Sequence, residues 1–526
     1  MRNRRLAAPA PSVSDGGLER DSASPSLPGD AGSAERNRVF EVRIALHNGL
    51  KLAGSLIATW SVALIVKLQV PIHLGPIRQG HFSFAESFAT LFFIFIGLGV
   101  DTYIIKEVSV RPRHASDLVG GVVALRAVIS IVLLAAIAGS LKATGRVGEI
   151  LPTALVFGVA NFGISTNATL SAVLQATGHA GRVATANVVG KAVWGAGTLL
   201  GLYLHAGLVL LALPVLAAEL LKAAMLVPFA HVNAGLRYRI DRGAVRTAVV
   251  SSVPYFVNGL ALGAYGGLGM SALEFLRHDE REVGWFSAVQ NLAGLCALLT
   301  PLMTWVLMPL LARAHARSEA EAMAALRRAL EALIVVVAPM TVLMSAGADV
   351  LVHVAFGDKY APATTGLSIL SLVFVMTYVD TTLATGLITM GRGWSVTLVS
   401  VGSVFVNAAL MFAFVPLGRC LLSPGGECAG AAASVIVTEV FVMLALISRF
   451  PKSPLDRRSV SALAKSALTG GIVLVLDRQI RSWGAVRLAG DAVIYAAMAA
   501  SLRIVSLDDL RSAVGILRSS RGSAKH

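Results

Sequence analysis

Charge is scarce in this sequence. Only 14% of the 526 residues are charged against 55% that are hydrophobic, and the mean hydropathy of +0.72 lies well above that of ordinary soluble domains. That shortage leaves no stretch from which a soluble domain of useful size can be built. Cysteine is nearly absent as well: there are three, with no CxxC pair and no Cys/His cluster to suggest a metal site. Cys296 lies in an apolar run and reads as a small core residue. Cys420 and Cys428 flank LLSPGGE, whose Pro-Gly-Gly can turn the chain back, and are a candidate disulfide if that loop faces an oxidising compartment. Nucleophile, metal and phosphate-loop constellations are missing, so nothing in the sequence marks an enzyme or calls for a cofactor.

Apolar runs are what the chain has in abundance. A helix needs about 20 apolar residues to cross roughly 30 Å of hydrocarbon. Fourteen candidate spans can be drawn, near 49–72, 83–105, 118–140, 150–174, 183–204, 207–230, 247–270, 285–311, 330–354, 364–389, 394–416, 429–448, 462–477 and 484–504. The expectation is an all-α polytopic membrane protein. Residues 1–45, rich in Pro, Ser, Gly, Asp and Arg, read as a disordered cytoplasmic tail. An N-lobe (46–230), a basic cytoplasmic linker (231–246), a C-lobe (247–448), two additional spans (449–504) and a cytoplasmic C-terminal tail (505–526) follow.

The net charge of +15 is explained by where the bases lie. With the tail cytoplasmic, the even-numbered loops hold the clusters Lys106, Arg111 and Arg113, then Arg237, Arg239, Arg242 and Arg246, whereas the odd loops hold scattered bases such as Arg78, Arg146 and Arg277. This alternation is the positive-inside pattern for a chain with both ends in the cytoplasm. It accounts for the charge through membrane lipids, without nucleic acid.

Two stretches recur. GHFSFAESFATLFF at the second span aligns without a gap on GWFSAVQNLAGLCA at the eighth, placing Gly80 on Gly284, Phe82 on Phe286, Ser83 on Ser287 and Glu86 on Gln290. LQATGHAGRVATANVV and LITMGRGWSVTLVSV form a second pair, Gly178 over Gly391, at a similar offset. Six spans preserve direction, so the chain is expected to hold two six-helix lobes related by a parallel repeat plus two C-terminal helices, the usual build of secondary transporters. Gly80 and Gly284 read as sharp turns into helix N-termini, with Ser83 and Ser287 capping or hydrogen-bonding the first turn.

Three runs then resemble a known family in order and spacing: LGPIRQGHFSFAESF with GLGVDTYIIKEV, EVGWFSAVQNLAGL with PLMTWVLMPLLAR, and VLVHVAFGDKYAPATTGLSILSL. They are similar to the polysaccharide-biosynthesis flippases, the Wzx-type O-antigen exporters of the multidrug/oligosaccharidyl-lipid/polysaccharide (MOP) superfamily, over spans one to about twelve. The resemblance implies a V-shaped pair of six-helix lobes in a bacterial inner membrane. It further implies passage of an undecaprenyl-diphosphate-linked oligosaccharide from the cytoplasmic to the outer leaflet, for surface polysaccharide such as lipopolysaccharide, with a polysaccharide polymerase or glycosyltransferases as partners. The long N-terminal tail departs from the family pattern, and the family has no strict signature to carry over residue by residue.

Charges inside spans are costly and are functional candidates by default. Arg126 in span three, Lys191 in span five and Lys222 in span six lie at one depth, and with Lys51 near the inner end of span one they are expected to receive the lipid diphosphate. Against this, Lys222 stands three residues after Glu219 and the two can neutralise each other, while Arg126 can bury its stem and reach the interface. The mid-depth ionisable groups of the C-lobe are acids, Asp380 and Glu439. With Glu86 they are the candidates for coupling to an ion gradient, since a carboxylate in a span can exchange a proton or hold sodium; Tyr378 and Thr381 offer Asp380 local partners and a purely structural role.

The expected function is therefore a lipid-linked oligosaccharide flippase working by alternating access. A cation-coupled multidrug exporter of the same superfamily is the alternative, disfavoured by the basic N-lobe, and a lipid II flippase is a closer one. A membrane glycosyltransferase needs a catalytic acid or a sizeable external loop, and the odd loops are short.

Overall fold

The computed structural model describes residues 30–502 apart from 98, 112–114, 236–240, 298–299 and 452, with side chains described from Ala58 onward. Lys51, the side chain of Cys296 and most of both tails fall outside the described residues. Residues 1–54 and 55–526 form separate units. In the first, helix begins at Asp30, inside the expected tail, because AERNRVFEVRIAL has neither Pro nor Gly to stop it. Everything below concerns the second unit.

α1 (Asp30–Phe93) is bent at Gly75, whose φ of 70° sits between Pro71 and Pro76. The proline rings remove two helical donors, and the left-handed residue between them costs a glycine little. A single 3₁₀ turn, Ile94–Ile96, and a second left-handed glycine, Gly99 (φ 65°), separate α1 from α2 (Val100–Val110). α3 (Ala115–Ala143), α4 (Ile150–Ala176), α5 (Ala180–Tyr203) and α6 (Leu208–Ala234) complete the first half. The second half holds α7 (Arg242–Leu276), α8 (Arg281–Ala297), α9 (Thr300–Arg317), α10 (Glu319–Ala346), α11 (Ala348–Phe356), α12 (Ala363–Ser371), α13 (Val373–Thr389), α14 (Gly393–Leu421) and α15 (Gly426–Ser448). α16 (Arg457–Gln479) and α17 (Arg487–Ser501) follow and pack on α10.

The chain is a multi-pass helical membrane protein; each of the expected spans overlaps helix, with 83–105 crossing the break before α2 and 285–311 divided between α8 and α9. Among the described residues, nine helical stretches are long and apolar enough to cross a membrane, so the count of fourteen is not reached on length and composition alone. α8 and α17 are short, and Lys191 with several glycines dilutes the apolar run of α5.

α4 packs against α2, α3 and α6 in the N-lobe, and α15 against α12, α13 and α14 in the C-lobe. One core joins the two lobes, running through Phe84 and Phe88 of α1, Trp285 and Phe286 of α8 and on to Leu326 and Leu367. Lipid is as apolar as these side chains, so close packing and small residues hold the helices together more than exclusion of water does.

The repeat is visible in the backbone. α4 and α13 end in the same cap: His179 N donates to Leu174 O at 2.7 Å and Gly178 N to Gln175 O at 3.1 Å, while Arg392 N donates to Leu387 O at 2.8 Å and Gly391 N to Ile388 O at 3.0 Å. Gly178 (φ 82°) and Gly391 (φ 74°) supply the left-handed residue that this arrangement requires.

Candidate functional site

The two copies of the first motif meet each other. The turn expected at Gly80 is made five residues earlier, at Gly75, and α8 is already helical from Arg281, so Ser83 and Ser287 are not helix caps. Both glycines are instead points of close approach: a Cβ on Gly80 would lie 3.0 Å from Gly284 N, and one on Gly284 would overlap the Pro76 carbonyl. Beside them Ser83 Oγ and Ser287 Oγ are 2.6 Å apart, and Gln79 Nε2 donates to both at 2.8 and 2.9 Å. The pairing that an internal repeat predicts in sequence is thus an intramolecular lobe-to-lobe contact.

Further ties close the same end of the bundle, here called the kink face. Arg146, between α3 and α4, donates to Glu274 Oε1 at 3.0 Å, stacks 4.7 Å from the Phe275 ring centre, and shares Glu274 with Arg277. Tyr360 donates to Pro71 O at 2.9 Å. The Glu282 carboxylate accepts from Gly425 N and Cys428 N, each at 2.8 Å, and so caps α15 from α8. Burial pushes this carboxyl above its ordinary value, and the two amide donors pull it part of the way back. The expected Cys420–Cys428 disulfide is not formed. Both thiols are free, because Cys428 is buried in the first turn of α15 against Gly366 while Cys420 is exposed at the end of α14.

Inside the N-lobe the structure brings together several of the expected charges. Lys191 on α5 has Lys67, Glu86, Lys222 and Glu219 as electrostatic neighbours, so α1, α5 and α6 enclose three lysines and two glutamates. Glu86, on α1 with Lys67, is one of the two carboxylates of this group. Lys222 Nζ binds Glu219 Oε1 at 2.9 Å, and Asn167 Nδ2 donates to Glu219 Oε2 at 2.8 Å. Among the described residues Lys191 has no such carboxylate contact; its ammonium lies 3.6 Å from the centre of the Trp194 ring.

Arg126 does not join this group. Its side chain is fully buried, and all five N–H donors are engaged by protein: Nε by Ile96 O at 3.0 Å, Nη2 by Gly97 O at 2.9 Å and Asp101 Oδ2 at 3.1 Å, and Nη1 by Ser165 O and Thr169 Oγ1. Thr169 passes a hydrogen bond on to Asp101 Oδ1 at 2.6 Å. The cause lies in the backbone. Interruption of α1 before Gly99 leaves carbonyls without amide partners, and a planar guanidinium can satisfy several of them at once. Arg126 as a diphosphate ligand is therefore corrected: it splices the break between α1 and α2.

The two C-lobe acids come together. Asp380 of α13 lies beside Glu439 of α15, and Tyr265 of α7 donates to Glu439 Oε1 at 2.6 Å. Asp380 is 7% exposed and Glu439 9%. Among the described residues no donor is aimed at either Asp380 oxygen.

Sequence reasoning missed Asp101 and Tyr265, and the Arg146–Glu274 tie. Asp101 was in view, within GLGVDTYIIKEV, but its importance comes from a helix break that apolar periodicity does not register.

Two like helical halves, joined at one end and holding charged groups within, define a membrane transporter. Residues 74–365, more than half of the chain, match the family of polysaccharide biosynthesis proteins, and the chain belongs to that family. Its fold is similar to those of solved transporters, some of them of the MOP superfamily. It is similar to an inward-facing multidrug resistance MATE family transporter (TM-score 0.59, 16% identity, 75% of this chain and 98% of that one). It is similar also to the lipid II flippase MurJ in an inward closed conformation (TM-score 0.63, 10% identity, 86% and 97%). An outward-facing MATE family transporter aligns with a TM-score of 0.53 at 16% identity, over 82% and 96% of the two chains. Such identities speak to the fold alone. No curated protein sequence matches the chain.

Proposed function

We propose that the protein flips an undecaprenyl-diphosphate-linked oligosaccharide from the cytoplasmic to the outer leaflet for surface polysaccharide synthesis, by alternating access driven through the C-lobe acids. The observation that carries this reading is the division of charge: three lysines grouped with two glutamates in the N-lobe, and the adjacent carboxyls of Asp380 and Glu439 in the C-lobe. Lys191, without a carboxylate contact among the described residues and against the Trp194 ring, is the first residue to meet the diphosphate. Lys222 remains paired with Glu219, which Asn167 also holds, and becomes available only if that pair opens, and Arg126 acts behind them by holding the α1–α2 break. The lobe contact at the kink face is then the outer gate in its closed state, and loading takes place from the cytoplasmic side.

Mass spectrometry of lipid-linked sugars after depletion of the protein, with a probe of sidedness, tests the proposal. Build-up of one undecaprenyl-diphosphate glycan on the cytoplasmic side supports it, and no build-up refutes it. In the same assay Asp380→Asn is expected to slow flipping at least tenfold and to flatten its dependence on pH or sodium, whereas Lys191→Ala is expected to weaken substrate capture and leave that dependence intact.

The proposed orientation has its own check. Cys420 is exposed on the kink face and Cys428 is buried. In a Cys296→Ser background a membrane-impermeant maleimide is expected to label intact cells at Cys420 and not at Cys428; labelling only after the cells are opened would reverse the orientation.

A further inference from the structure

A cavity of about 390 Å³ lies between α1, α2 and α4 of the N-lobe and α7 of the C-lobe, apart from the lysine cluster. Its polar lining is Thr90, Asp101, Thr102, Asn161 and Ser165; Asp101 is the one ionisable residue on its wall among the described residues. The Asp101 side chain is 30% exposed and the Arg126 behind it is fully buried. The geometry assigns this cavity as a subsite for an uncharged sugar ring, held by the Asp101 carboxylate that Arg126 and Thr169 fix in place. The assignment deepens the proposed function and rests on it for the identity of the whole substrate.

Charge decides the ligand class. Arg126 and Asp101 form a neutral pair, and every guanidinium donor is spent on protein, so nothing on this wall attracts a phosphate. A lone carboxylate facing the same space would repel one. The carboxylate retains acceptor capacity: Oδ2 receives Arg126 at 3.1 Å, while Oδ1 takes Thr169 at 2.6 Å and Arg126 at 3.3 Å. A carboxylate already rigid and neutralised accepts hydroxyl protons without a cation having to be desolvated. Asn161 spends one N–H on Phe157 O at 2.9 Å and keeps its carbonyl and a second N–H for a ligand. Phe93 and Phe256 also line the cavity. The volume falls within the range of roughly 300–1,000 Å³ usual for small-molecule sites.

Saturation-transfer NMR on the full chain in lipid nanodiscs tests this with two probes, the neutral disaccharide N,N′-diacetylchitobiose and, by ³¹P line width, inorganic pyrophosphate. The wild type is expected to transfer saturation to the disaccharide. Gly259→Leu, which fills the cavity from α7 where a Cβ meets nothing within 4 Å, is expected to reduce that transfer at least fivefold. Asn161→Ala, outside the ion pair, is expected to reduce it two- to threefold in protein of unchanged melting temperature. No transfer in the wild type, transfer that Gly259→Leu leaves intact, or pyrophosphate broadening that Gly259→Leu abolishes would each overturn the assignment. Because binding is read without flipping, a glycan that fails to accumulate on depletion would sink the transport reading and leave this result standing.

Discussion

Gly284→Ala is expected to hold the lobes apart at the kink face and to lower transport at least tenfold. The added methyl would lie far inside van der Waals contact with the Pro76 carbonyl oxygen. That group is backbone, pinned between the left-handed Gly75 and the helix beyond it, so it cannot turn aside as a side-chain tip can. Overpacking of this kind costs about 1–3 kcal/mol in a well-packed interior, and a transporter can escape it by leaving the closed arrangement. Spin labels at the accessible positions Arg78 and Lys359, either side of the contact, should therefore move apart in Gly284→Ala. Gly80→Ala should show a smaller shift, since its nearest obstacle lies 3.0 Å away. Gly294→Ala is the control, because a Cβ there meets nothing within 4 Å. If Gly284→Ala leaves the label distance and the transport rate unchanged, the contact is not a gate.

The same glycines show how far the sequence could be read. Apolar run length located the helices, because a membrane demands a fixed length of greasy chain whatever surrounds it. The repeat was visible in Gly80 over Gly284 and Gly178 over Gly391. The second pair kept the same local role in both copies, a helix cap, because that role depends only on neighbours in the chain. The first pair was misread as two separate turns, since nothing local says that one copy packs on the other. Charges divide along a similar line. Asp380 and Glu439 were legible as mid-depth acids in a lobe without internal bases, but their adjacency depends on how α13 rotates against α15, and Tyr265 had no signal of its own. Arg126 was judged by depth, and depth cannot distinguish a side chain that faces a cavity from one that mends a broken helix. Gly97 and Gly99, close before Asp101, were the one available hint of that break.

Arg126→Met is expected to be the most destabilising single change of those considered, and its result separates a structural splice from a ligand site. Removing the guanidinium leaves Asp101 without its counter-charge and strands the carbonyls of Ile96 and Gly97 at the helix break. Losing one partner of a buried pair costs about 3–5 kcal/mol, enough to deplete the folded protein in membranes. Arg126→Lys should fail nearly as badly, because one ammonium carries three donors on a point and cannot span acceptors arrayed around a plane. Adding Asp101→Asn to Arg126→Met should recover part of the loss, since the stranded charge is removed although the carbonyls remain unpaired. Melting temperature and monodispersity of purified protein read all three variants without reference to any substrate. A diphosphate ligand predicts the opposite order: Arg126→Lys would melt like the wild type and lose only affinity for pyrophosphate. The five occupied donors favour the first order, in which the α1–α2 break depends on Arg126 and Asp101 is left to face the cavity.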